Sequence, residues 1–144
     1  MEDLILGRYI IFEQNNLFGL KVDAEVKIPP HYQQIIWFEA DLFFTKDLEN
    51  KWQILNDENQ NVYNEKFDFL LRFRDNQATF QKSNEFIFLN GFRIYNRVKF
   101  YNPNAYFNGS GMSIIETEDG KQGVIMENGE WFIKPILPSA LTTT

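Results

Sequence analysis

The sequence predicts an all-β fold, built from antiparallel hairpin repeats in one compact barrel- or sandwich-like domain. Three observations predict it. Apolar residues fall in short, often alternating runs and no stretch shows helical periodicity, so strands are the natural elements. Two Asn-Gly pairs, Asn90-Gly91 and Asn128-Gly129, each join apolar runs, the strongest short hairpin signal. Apolar positions also recur at a step of 34 to 36 residues: Leu20, Ile54, Phe88 and Val124, then Tyr32, Phe67, Tyr101 and Leu137, with Phe18, Trp52 and Phe86 keeping the step of 34.

The strands follow in order. The first spans Leu4–Phe12, before the repeats. Then come Leu17–Val22, Ile35–Phe38, Leu42–Thr45, Trp52–Leu55, Phe67–Phe73, Phe86–Leu89, Phe92–Phe100, Ser113–Glu116, Val124–Met126 and Trp131–Ile133. In 92–100, Phe92, Ile94, Val98 and Phe100 alternate with Arg93, Tyr95, Arg97 and Lys99, the pattern of a strand with one packed and one wet face. A hairpin cannot bury its apolar face alone, so neighbouring units must stack. The expected core is Leu20, Tyr32, Trp52, Ile54, Phe67, Phe88 and Val124. The division is a single domain over 1–144: an N-terminal strand in 1–15, about four units of 34–36 residues in 16–137 and a tail in 138–144.

The unit has a recognisable form. Leu17-Phe18-Gly19-Leu20, a turn, Val26-Lys27-Ile28-Pro29-Pro30 and Tyr32 resemble the bacterial WG-repeat family. So do Gly120-Lys121-Gln122-Gly123-Val124-Ile125, Asn128-Gly129-Glu130 and Ile133-Lys134-Pro135. The second unit, Lys51-Trp52-Gln53-Ile54-Leu55, keeps the tryptophan and carries Gln53 where the family has glycine; the third keeps only the apolar skeleton. The resemblance implies a β-rich repeat array with an interaction role and brings no catalytic residues.

Composition narrows the chemistry. The chain has 144 residues, 17% of them aromatic, and no cysteine, which removes disulfides, thiolate metal sites and thiol nucleophiles. Its net charge is −6, which disfavours phosphate backbones and suits a basic partner. No stretch approaches the apolar length that spans a bilayer. The start Met1-Glu2-Asp3-Leu4 lacks the basic, apolar pattern of a secretory signal, and the expectation is a cytoplasmic protein.

Candidate chemistry is sparse. His31 is the single histidine and sits between Pro30 and Tyr32, where the repeat places a loop residue. Asp57-Glu58-Asn59-Gln60-Asn61 begins like a calcium loop but has Val62 where the turn needs glycine and Asp68 where a bidentate glutamate is usual, so it reads as a hairpin loop. Glu39 with Asp41, and Glu116 with Glu118, share strand faces, an arrangement expected of solvated acids. Gly109-Ser110-Gly111 lacks the lysine and helix of a phosphate loop. Arg93, Arg97 and Lys99 with Tyr95 make a basic strand face, read mainly as edge protection.

Segment 101–112 stands apart. It is the longest stretch without strand pattern, and it sets Tyr101, Tyr106 and Phe107 among Asn, Pro, Ser and Gly. It reads either as a binding loop or as a crossover whose Tyr106 and Phe107 lie in the core. The functional expectation is a non-catalytic protein-binding module without cofactor or metal, most concretely a small acidic immunity-type inhibitor that neutralises a toxic effector. The expected partner has a basic face and meets Tyr101, Tyr106, Phe107, Asn108, Glu116, Glu118 and Asp119. The alternatives are a WG-type structural or sensory protein that binds a glycan or envelope component, and, last, a carboxylate-based enzyme.

Overall fold

The structure is a computed structural model, and residues 3–137 are described. The tail expected at 138–144 lies outside them. The fold is all-β. Fourteen antiparallel strands occur: β1 (Leu4–Leu6), β2 (Tyr9–Gln14), β3 (Leu17–Val22), β4 (Glu25–Tyr32), β5 (Gln34–Glu39), β6 (Leu42–Lys46), β7 (Trp52–Asn56), β8 (Phe69–Arg74), β9 (Gln77–Lys82), β10 (Glu85–Asn90), β11 (Arg93–Lys99), β12 (Met112–Glu116), β13 (Gln122–Met126) and β14 (Trp131–Leu137). They form four meanders, ordered β1-β2-β3-β4, β5-β6-β7, β11-β10-β9-β8 and β12-β13-β14. The chain divides into two compact units, 1–69 and 70–144.

In the first unit Ile11, Leu20, Val22 and Ile28 share one buried cluster with Ile35, Phe43 and Leu55. The second unit gathers Phe86, Phe88, Val98 and Phe100 with Ile115 and Ile125. Polar bonds add to that cluster: Thr79 Oγ1, Tyr95 Oη and Asn96 Nδ2 donate to the carbonyls of Glu127, Asn128 and Gly129 in the β13–β14 turn.

The turns share one chemistry. Five of them, 47–51, 56–60, 108–112, 117–121 and 126–130, have the same two backbone bonds, from the first N–H to the fifth carbonyl and from the fourth N–H to the first carbonyl. The fourth residue has positive φ in each: Asn50, Asn59, Gly111, Gly120 and Gly129. In three turns an Asx side chain opens the loop and accepts two further N–H groups, as Asp47 does from Glu49 and Lys51. The Asp57 loop is one of these turns.

Several expectations are corrected. The strand drawn over 4–12 is a hairpin, because Gly7 has positive φ and breaks it into β1 and β2. Strand β9 carries only Ala78, Thr79 and Phe80 as its buried run, too short to signal itself. Ile54 lies on β7, at the end of its sheet, whereas Leu20 and Phe88 lie on interior strands, so the step of 34 joins strands that are not equivalent. Doubled to 68, it carries the residue ranges of β1–β4 onto those of β8–β11. Val124 is half-buried and its neighbour Ile125 is the buried residue; Tyr32 is also half-buried. Phe92 is exposed because Tyr95 bulges where Phe88 faces Asn96 and Leu89 faces Ile94, which reverses the alternation below it.

Candidate functional site

Strand β12 ends its sheet, and segment 101–108 covers that end. In the β12–β13 ladder Glu127 N donates to Gly111 O, so Ser113/Ile125 and Ile115/Gly123 are the bonded pairs. Met112, Ile114 and Glu116 therefore point their N–H and C=O groups away from β13. The loop meets them. Asn108 N donates to Met112 O at 2.8 Å while Asn108 Oδ1 accepts from Met112 N at 3.2 Å. Asn102 Nδ2 donates to Ile114 O and its Oδ1 accepts from Glu116 N, both at 2.8 Å. Tyr101 N donates to Glu116 O at 2.8 Å. Two asparagines thus stand in for a neighbouring strand. Of the six outward groups, only the N–H of Ile114 has no partner among the described residues.

A pocket of about 200 Å³ opens at that position, lined by Asn102, Asn104, Tyr106, Asn108, Ser113 and Ile114, with Met112, Pro103 and Ala105. No charged side chain lines it. The Oγ of Ser113 is buried without a hydrogen-bond partner among the described residues. No bond engages the Asn104 amide, the Asn108 Nδ2 or the Tyr106 hydroxyl among the described residues.

The two central aromatics part company. Phe107 packs into the second unit's core, its ring 4.8 Å from Phe86 and 6.3 Å from Phe88. Tyr106 is 71% exposed. Tyr101 is 42% exposed, with the Lys99 ammonium 5.4 Å over its ring. Asn108 is a turn-former through its Oδ1. Glu116 is half-buried at the end of β12, and Glu118 and Asp119 are exposed in the following turn. The Thr117 hydroxyl donates to Asp119 and holds its carboxyl below the usual carboxylate value.

Charge is divided unevenly. Residues 1–69 contain six Lys/Arg against thirteen Asp/Glu, a net of −7; residues 70–144 contain eight against seven, a net of +1. The acidity that points to a basic partner therefore belongs to the first unit, whereas the 101–112 segment lies in the second.

The other candidates find ordinary places. His31 is exposed in the bulge of β4. Of the basic strand face, Arg97 pairs with Glu85 at 3.3 Å, Lys99 sits on Tyr101, and Tyr95 is tied to Asn128. No group of three or more His, Cys, Asp or Glu able to hold a metal ion occurs among the described residues. No helix among them is long and apolar enough to cross a membrane. Sequence reasoning missed Asn102 and Ile114, because their roles depend on which strand the loop lies beside. No protein-family profile matches the chain, and no curated protein matches it.

Proposed function

We propose that this chain is a non-catalytic protein-binding module, most concretely an immunity-type inhibitor that caps a toxic effector bearing a basic face. The observation that carries this reading is Tyr106: a large aromatic ring left mostly exposed on a segment whose neighbours are pinned by backbone and amide bonds. Interfaces take most of their energy from a few such anchors, and a held loop loses little entropy on docking. Tyr101 adds a second ring nearby in sequence. Glu118 and Asp119 supply local steering, and the −7 of the first unit supplies the longer-range attraction for a basic partner.

The test is affinity capture from the native cell with mass spectrometry, run with the wild-type chain and with Tyr106→Ala. The reading expects one basic protein retained by the wild type and lost with the variant. Equal capture by both would remove Tyr106 from the interface. A toxin gene directly upstream would favour the immunity form.

A second reading, a structural or sensory repeat protein of WG type that binds a glycan or envelope component, draws support from the two units that resemble that family. Each sets a glycine opposite a three-residue bulge. Gly19 lies between the pairs Phe18–Tyr32 and Leu20–Ile28, and Gly123 between Gln122–Leu137 and Val124–Ile133.

A further inference from the structure

We infer that the gap in the β12 edge is a receptor for one uncharged carboxamide, the side chain of a glutamine or asparagine presented by the protein partner. This deepens the docking reading and rests on it. The argument begins with what already fills the edge. Outward groups of Met112 and Glu116 are met by the amides of Asn108 and Asn102, each supplying an oxygen to an N–H. Asn102 also supplies its NH₂ to Ile114 O. Between them lies the one outward backbone group of the edge left open among the described residues, Ile114 N–H, beside a pocket of about 200 Å³. The group that continues this pattern is another amide oxygen.

A primary amide fits the remaining chemistry better than a main-chain peptide does. It carries one acceptor oxygen and two N–H donors at its end. Its oxygen takes the Ile114 N–H, and its NH₂ is left for the pocket-lining Asn104 amide and Tyr106 hydroxyl, which no bond engages among the described residues. A lysine or arginine head is disfavoured: it would lose hydration in a lining that holds no carboxylate. The basic face of the partner thus steers, while a neutral residue enters the gap.

The test uses the full chain labelled with ¹⁵N, titrated with four probes: Ac-Gly-Gln-Gly-NH₂, Ac-Gly-Lys-Gly-NH₂, Ac-Gly-Gly-Gly-NH₂ and methyl β-glucoside. The expected result is a saturable shift of the Ile114 amide with the glutamine peptide, and at least fivefold weaker responses to the other three. Amide exchange at Ile114 should slow with the same probe. Ile114→Pro deletes the proposed donor at an edge position that needs no ladder bond and should abolish the glutamine peptide's saturable shifts at the neighbouring Ser113 and Ile115 amides; where this variant misfolds, the exchange measurement on the wild type decides. An equal response to the triglycine peptide would assign the slot to main-chain amides, and a stronger one to the lysine peptide or the glucoside would assign it to a cation or a sugar; each overturns the proposal, as does an unmoved Ile114. Loss of Tyr106-dependent capture together with an intact glutamine response would sink the docking reading alone. Intact capture with no response would sink only the carboxamide slot.

Discussion

Gly19 lies so close to Ile28 that a Cβ built on it would stand 2.6 Å from the Ile28 carbonyl oxygen. Gly123 repeats the relationship with Ile133, at 2.5 Å. In both places the neighbouring strand leaves the ladder for three residues, Pro29-Pro30-His31 in one and Lys134-Pro135-Ile136 in the other, and folds back across the glycine. The missing side chain is what lets the bulge close. Gly19→Ala and Gly123→Ala should therefore each cost about 2–4 kcal/mol, since backbone has to move. Gly120 has positive φ but open space around it, so Gly120→Ala should cost about 1 kcal/mol. Urea unfolding of the three variants measures the contrast; losses at Gly19 and Gly123 no larger than at Gly120 would show that the close backbone contact carries no extra cost.

The aromatics of the 101–112 segment should separate by stability. Phe107→Ala removes a ring packed on Phe86 and Phe88 and should lose about 3–5 kcal/mol. Tyr106→Ala should change stability by less than about 0.5 kcal/mol. Thermal melts distinguish them at once. A large loss at Tyr106 would show that the ring is structural and unfit as an anchor.

Burial pushes the Asp47 carboxyl up, but the Lys51 N–H, the Lys66 ammonium and the Glu49 N–H outweigh it and hold the group below its ordinary value of 3.8. A depressed carboxyl contributes stability that is present above the unfolded value and lost as pH falls through the folded one. Unfolding free energy should therefore drop as pH is lowered from about 4, and Asp47→Asn should flatten that part of the curve. Lys66 is raised by the same contact, so its share persists below its unfolded value and disappears at strongly alkaline pH. Denaturation at a series of pH values tests both; an unchanged acid slope in Asp47→Asn would remove Asp47 as its source.

Gln122 is fully buried, and neither end of its amide has a partner among the described residues. Desolvated polar atoms without bonds oppose folding, so Gln122→Met, of similar length, should stabilise the chain by about 1–2 kcal/mol. A rise in melting temperature is the readout. A fall would mean that the amide makes bonds in solution.

Much of the fold is legible along the chain, because strands and turns announce themselves locally. Asn128-Gly129 marks its hairpin, and Leu20, Ile54, Phe67 and Phe88 are buried as their positions in apolar runs predict. What is not legible depends on partners distant in sequence. Nothing near Tyr95 signals that it will bulge and turn Phe92 outward; the bulge is set by its pairing with β10. Segment 101–112 shows the same limit. Its composition marks 101–112 as unusual, yet Tyr106 and Phe107 are adjacent aromatics with opposite fates, decided by Phe86 and Phe88 some twenty residues earlier. The role of Asn102 needs knowledge of the β12 edge. The division of charge was present in the sequence from the start, but it acquires meaning only with the boundary at residue 69.

That division has a practical face. An anion-exchange resin near neutral pH would grip residues 1–69, with their net −7, and find almost no purchase on residues 70–144, at +1. Elution would report the first half alone. Charge changes such as Glu58→Gln would move the peak. Adsorbed on a cationic sensor surface, the chain would be held through its acidic half.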